Sequence, residues 1–465
     1  MLLSLLYAAP VAAAIANQIT VDVRQKFQKM DGFGASEAFQ RANQIKGTFG
    51  PGPYISPDNR TKVLDWLFDP HKGAGLTILR NGIGSSPNNT ADHMVSIEPV
   101  SPGSPHTKPH YVWTGDDNGQ VWLSKEAYKR GVRTFYADAW SAPGYMKTNN
   151  TDDWGGRLCG VTNGHCETGD WRQAFANYLV QYLKFYKEEG ITVTHIGHLN
   201  EPDISVSYAS MLADGIQTKD FLEVLYPTLH REGFGNVKVA AGEATGWRQS
   251  GDILSDLVST GGEQFYDFFT SHGYQDEPRL PFDTPKPVWQ TEWADLSGGW
   301  TTDWDTFGQD GEGIQWANKI QEAIVISNCS AFLYWIGAEN SGSNSPLIKI
   351  NGTDIEVSKR LWGFAHFGRY VRPGAYRVSA ESTNGVLHTS AYANADGSLT
   401  VLVINNGHYD AVTNFAVNGY KSFKKVTTWL TNNDHDITPG SARVGGRGSF
   451  EARIPQRSMM SFVIS

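Results

Sequence analysis

Cysteine is scarce: three in 465 residues, at positions 159, 166 and 329, too few for a disulfide scaffold. No Cys/His cluster with metal-ligand spacing occurs, so no metal centre is expected. His195 and His198 lie three apart in a stretch read as a strand, where they fall on opposite faces. Runs of positive charge are missing too. Lys and Arg total 39 against 48 Asp and Glu, a net charge of −9, and without a basic run there is no grip on nucleic acid or anionic membrane. No Gly-rich phosphate loop follows a strand and no Gly-x-Ser-x-Gly elbow is present, so nucleotide-dependent and serine-hydrolase chemistries lack their signatures. No cofactor is expected. Long apolar runs are absent after the first residues, which argues against a membrane span.

Those first residues, MLLSLLYAAPVAAAIA, form a short apolar stretch ending in small residues before Asn17 and Gln18. Residues 1–16 read as a secretory signal, predicting a secreted, extracellular protein. Asn-x-Ser/Thr sequons at Asn59, Asn88, Asn149 and Asn351 are glycosylation candidates, while Asn328, beside an apolar run, reads as buried. Cys159 and Cys166 flank a Gly/Asn-rich loop that a disulfide would close in an oxidising compartment, and Cys329 reads as a buried thiol.

Against these absences stand 40% hydrophobic and 12% aromatic residues with 49 Gly and 21 Pro, the makings of a large core cut by many turns. Eight short apolar runs alternate with helix-like stretches: 32–37, 76–82, 133–140, 193–201, 237–243, 265–274, 287–293 and 331–337. Helical periodicity marks 171–188, 218–232, 252–259, 313–327 and 359–370. The pattern predicts an α/β fold, a (β/α)8 TIM barrel over 30–373, with its chemistry at the strand C-terminal ends. After Arg372-Pro373-Gly374 come β-type runs such as LTVLVI (399–404) and VTTWL (426–430), separated by Asn/Gly turns. They predict a side-associated antiparallel β-sandwich over 374–465. Ile19, Val21 and Val23 alternate, so residues 17–29 are expected to add a strand to that sandwich.

Two strand ends carry carboxylates: Glu201, in His-Leu-Asn-Glu-Pro, ends the fourth run, and Glu292, in Trp-Gln-Thr-Glu-Trp, ends the seventh. On a closed barrel both overlook one mouth, which suits a glycosidase: one acid protonates the leaving oxygen and one carboxylate attacks the sugar carbon. The plainer alternative makes Glu201 a helix-start residue before Pro202. Asn200 is placed to hydrogen-bond a sugar hydroxyl. Arg80, read at the end of the second run, would keep Glu292 ionised, or else form a structural ion pair. Trp140, Tyr274 and Trp335 end further runs, and their rings suit sugar stacking as well as core packing. The Tyr274 hydroxyl is also within reach of the nucleophile.

Taken in order, MDGFGAS (30–36), WSAPGYMK (140–147), LNEP (199–202), SHGY (271–274) and WQTEW (289–293) resemble glycoside hydrolase family thirty, of the clan of retaining barrel glycosidases. The likeness covers nearly the whole chain after residue 16. It implies Glu201 as acid/base and Glu292 as nucleophile, with Asn200, Arg80, Trp140, Tyr274 and Trp335 in support; Tyr145 stands where relatives often carry Trp. The chain looks most like the fungal subfamily acting on glucuronoxylan. Bacterial members grip the glucuronic acid branch with an Arg in the loop after strand seven, but here residues 294–313 hold acidic groups and no Arg or Lys. Arg41, after strand one, resembles the fungal replacement, with Arg157, Arg248 and Arg279 as reserves; the alternative for Arg41 is a surface residue starting a helix. The long loop after strand two (81–122) contains Asn88 and Asn89; in fungal relatives it walls off far subsites, which makes Asn89 a substrate-binding candidate.

The expected activity is hydrolysis of β-1,4-xylosidic bonds in xylan or glucuronoxylan, with endo cleavage or release of xylobiose both open. A β-1,6-galactanase or β-1,6-glucanase of the same family, or a carbohydrate-binding barrel without catalysis, are the alternatives. The partner is a polysaccharide, with no nucleic acid and no membrane, and the protein is expected to be a monomer.

Overall fold

The computed structural model describes residues 17–88, 94–446 and 448–465. The proposed signal, residues 1–16, and Asn89 lie outside them. Eight parallel strands close a barrel: β1 (Gly32–Ser36), β2 (Ile78–Ile83), β3 (Thr134–Ala139), β4 (His195–Gly197), β5 (Lys238–Ala244), β6 (Phe268–His272), β7 (Val288–Glu292) and β8 (Ala331–Tyr334). All eight expected runs are among them. These strands are buried almost throughout, because helices cover the outside and side chains fill the inside. The lower interior is plugged by Ile78, Tyr136, Ala240, Phe268, Trp289, Ala331 and Leu333. Two residues further along, β2 and β3 present Arg80 and Asp138 on the same inner face.

Some boundaries differ from expectation. β4 ends at Gly197, and Glu201, at φ +46°, lies in a left-handed turn beyond the ladder. Arg80 is inside β2, not at its end. The helix expected at 252 begins at Trp247, after the extended Gly246.

Beyond the barrel, β9 (Tyr376–Ser382), β10 (Leu387–Ala393), β11 (Leu399–Asn405), β12 (Ala411–Asn418), β13 (Val426–Thr431), β14 (Ser449–Ile454) and β15 (Ser458–Ile464) belong to one ten-stranded sheet. Residues Asn17–Lys29 enter it between β9, antiparallel, and β12, parallel. The alternation of β11 shows how the sheet packs: Val401 and Val403 join the sheet's own core, whereas Leu402 and Ile404 join the barrel's.

Cys159 and Cys166 form a disulfide across a sequence separation of 7, and Cys329 is a buried free thiol. So short a loop limits the bond's stabilisation to about 2–3 kcal/mol. Thiol titration of the denatured, unreduced protein should find one reactive group; finding three would contradict the pairing. Among the sequons, Asn88, Asn149 and Asn351 are exposed and Asn59 half-buried. The Asn149 amide donates to the carbonyls of Asp153, Trp154 and Gly155. Asn328 is also exposed, contrary to expectation: it turns with φ +59° at the end of its helix while Cys329 points inward.

Candidate active site

A cleft of about 660 Å³ opens at the C-terminal mouth of the barrel, lined in part by Glu201, Glu292, Tyr274, Trp140, Trp335 and Arg41. Carboxylate oxygens of Glu201 and Glu292 approach within 4.8 Å of one another. Their placement depends on irregular backbone. A register shift between Ser271 and His272 sets His272 opposite Glu292 rather than Thr291; a bulge of this kind re-aims a side chain at a barrel rim. A second shift, between Ala241 and Ala244 of β5, accompanies Glu243 at φ +59°. It requires Gly242, at φ +116°, where a Cβ would come within 2.1 Å of the Thr270 carbonyl oxygen.

Beneath the cleft, Arg80 is fully buried. Its Nη1 donates to Glu292 Oε2, and its Nη2 to Asp138 Oδ2 at 2.7 Å, Asn200 Oδ1 at 2.6 Å and Glu243 Oε2 at 2.8 Å. The Tyr274 hydroxyl donates to the other Glu292 oxygen at 2.9 Å. Asn200 is further held by its own N–H, which donates to the Ala139 carbonyl at 2.8 Å. One guanidinium thus anchors the Glu292 carboxylate and the amide preceding Glu201.

His272, on β6, links the second carboxylate to this hub. Its Nδ1 is 3.1 Å from Glu201 Oε1 and its Nε2 is 2.8 Å from Glu243 Oε2. Burial opposes charge on the ring, but Glu292, Glu201 and Glu243 hold the imidazolium up to about 10. Burial likewise raises the Glu201 carboxyl, with Glu292 adding to the rise and His272 opposing it. Burial also pushes at Glu243, yet Arg80 and His272 outweigh it and hold that carboxyl low. Asp138 is driven up by burial and by Glu243. Glu201, His272 and Glu292 together resemble a metal-binding trio. Both ring nitrogens of His272, however, face carboxylate oxygens directly, at 3.1 and 2.8 Å.

Aromatic rings wall the cleft. Phe39 meets Trp140 with ring centroids 5.2 Å apart, Tyr208 at 5.7 Å and Trp335 at 6.1 Å. Trp140 also lies over Arg80, at 4.7 Å from its guanidinium carbon. Tyr145 turns elsewhere, donating to the Glu98 carbonyl at 3.0 Å. Arg41 lines the cleft with its Nε on Glu339 Oε2 at 2.7 Å and its Nη1 on the Phe39 carbonyl at 2.6 Å. The reserves Arg157, Arg248 and Arg279 do not line it.

The structure therefore brings together Glu201, Glu292, Asn200, Arg80, Trp140, Tyr274, Trp335 and Arg41. Sequence reading did not single out Glu243, His272, Asp138, Phe39 or Tyr208. Glu243 had one signal, a carboxylate closing an otherwise apolar run, and His272 stood inside the SHGY motif.

Among known proteins, residues 53–362 match glycosyl hydrolase family 59 and residues 374–462 match the glycosyl hydrolase family 30 beta sandwich domain. The catalytic domain of the family 30 xylanase C from Talaromyces cellulolyticus superposes with a TM-score of 0.89 at 41% identity, covering 96% of this chain and all of that one. Glucuronoxylanase XynC of Bacillus subtilis is 26% identical over 369 residues, 75% of this chain and 79% of its own. An endo-1,6-beta-D-glucanase of Trichoderma harzianum is 22% identical over 442 residues, 87% of this chain and 84% of its own.

Proposed function

The chain belongs to glycoside hydrolase family 30, and from that membership we propose that it is a retaining β-1,4-xylanase acting on glucuronoxylan. The family 59 match covers the barrel alone, whereas the 41% identity to a family 30 xylanase extends through both domains. The observation that carries the mechanism is the close approach of two carboxylates in an aromatic-walled cleft. Retaining sites hold their carboxyl groups about 5–5.5 Å apart, and inverting sites about 6.5–9.5 Å to admit a water; one oxygen of each glutamate lies within 4.8 Å of the other's, which is compatible with the closer spacing.

In the reading that follows, Glu292 attacks the anomeric carbon, steadied by Arg80 and Tyr274. Glu201, whose protonated form burial favours, delivers a proton to the departing xylosyl oxygen. The same group, now ionised, takes a proton from a water that releases the covalent xylosyl-enzyme. Trp140 and Trp335 offer faces for the sugar, with Phe39 and Tyr208 completing the wall. Secretion fits a protein with a disulfide and exposed sequons, and no helix among the described residues is long and apolar enough to cross a membrane.

Arg41 is the candidate for reading the glucuronate branch, because a guanidinium takes a carboxylate in a bidentate pair. Such a contact is worth about 1.5–3 kcal/mol. Arg41→Ala should therefore lower kcat/KM on glucuronoxylan by roughly ten- to a hundredfold, with far less loss on unbranched xylo-oligosaccharides. Equal losses on both would make Arg41 structural.

The substrate reading is tested by product analysis on glucuronoxylan, linear arabinoxylan, β-1,6-galactan and β-1,6-glucan side by side. Xylo-oligosaccharides from the first are expected. Cleavage confined to a β-1,6-linked glycan would replace xylan as the substrate while keeping the two glutamates. Xylobiose as the sole early product would indicate release from chain ends.

A further inference from the structure

A two-carboxylate mechanism leaves Glu243 without a task, yet few side chains here are so fully engaged. It is 2% exposed and absent from the cleft lining. Oε1 accepts from the Tyr136 hydroxyl at 2.8 Å, and Oε2 faces both Arg80 Nη2 and His272 Nε2 at 2.8 Å. Its carbonyl also accepts the Glu201 N–H at 2.9 Å, so the two residues, both with positive φ, brace one another through the main chain. Between their side chains lies His272, with one ring nitrogen on each.

We propose that Glu243 is a positioning residue that holds His272 as an imidazolium against Glu201 and so governs how tightly Glu201 keeps its proton. This rests on Glu201 being the acid/base of the reaction proposed above. Nε2 donates to ionised Glu243, while Nδ1 donates to Glu201 in the imidazolium but would have to accept from a protonated Glu201 in the neutral ring. The other charged or titratable groups around it act in known directions. Glu292 Oε1, 4.0 Å from Nδ1, favours the cation, and the Tyr274 ring packs 6.0 Å away. Asp203, Glu292 and Tyr208 border Glu201. Arg80, Asp138, Tyr136 and His198 border Glu243.

The cation beside Glu201 favours its ionised form and opposes the effect of burial. Glu243 thus prevents the acid from holding its proton too firmly, which matters because the same group must serve as base in the second half of the reaction. In Glu243→Gln, the amide oxygen can still accept from Nε2, but one of the three carboxylate charges that sustain the imidazolium is gone. The ring then gives up its Nδ1 proton more readily, and where it does, Nδ1 becomes an acceptor for protonated Glu201. Glu201 keeps its proton to higher pH.

Two measurements test this. Nitrogen-15 NMR of the histidine rings in the unaltered enzyme should show His272 doubly protonated at pH 7 and through pH 8. In E243Q the basic limb of the kcat/KM profile should move up by about one pH unit, a tenfold change in the protonation equilibrium. E243D, which keeps the charge, should stay nearer the original limb. A neutral His272 at pH 7 in the unaltered enzyme overturns the proposal, and so does an E243Q profile that falls uniformly with its basic limb in place. If E243Q does not fold, the NMR titration decides alone. The profile is read on whichever glycan is cleaved, so a failed xylan reading is seen separately, in product analysis.

Discussion

With Glu292 as the proposed nucleophile, Glu292→Gln should lower kcat on xylan by about six orders of magnitude, since removing a nucleophile that acts in concert with its partners costs about that much. The amide is nearly isosteric and still meets the Tyr274 hydroxyl, but it cannot attack carbon. It also leaves Arg80 one carboxylate short. Loss of a partner from a buried pair costs about 3–5 kcal/mol when it strands a charge; here Arg80 keeps Glu243, Asp138 and the Asn200 carbonyl oxygen. The variant is expected to fold, with a lowered melting temperature and far-UV circular dichroism unchanged. Azide should not rescue it in the manner of a missing acid/base. Retention of more than about one per cent of kcat would be out of scale for a nucleophile and would remove Glu292 from that role.

Glu201→Ala should behave differently. On xylan, where the leaving oxygen needs a proton, kcat is expected to fall by about 10²–10⁴-fold. On an aryl xyloside with a good leaving group the first step needs no acid, so the covalent intermediate should accumulate as its hydrolysis slows, and KM should drop together with kcat. Azide, which needs no base to attack, should restore turnover and give a glycosyl azide of retained configuration. Equal losses on xylan and the aryl xyloside, with no azide effect, would show that Glu201 serves the fold rather than proton transfer. His272 also loses a carboxylate in this variant, but Glu292 and Glu243 still favour its cation.

The barrel could be read from the chain because parallel strands covered on both faces are continuous apolar runs, and the Asn17–Lys29 strand because Ile19 and Val21 alternate with polar neighbours. The two glutamates stood out because each closes such a run. What escaped depends on register. Sequence alternation cannot show that β7 shifts between Gln290 and Glu292, or that β5 turns through Gly242 to swing Glu243 inward. The sequence places Arg80 at a strand end, although it occupies the middle of β2, because a buried arginine is tolerated only through partners that the fold brings from β3, β5, β7 and the turn after β4. Phe39 and Tyr208 sit on loops with no periodicity, and their contact exists only once those loops meet over the mouth.

The measurement that bears most directly on the central claim is proton NMR of the first minutes of hydrolysis of a glucuronic-acid-branched xylo-oligosaccharide. If Glu292 forms a covalent xylosyl-enzyme that Glu201 then helps to resolve, the new reducing end appears first as the β anomer, and the α anomer grows in only as mutarotation proceeds. An α anomer formed first, or no cleavage of that substrate, would contradict the account.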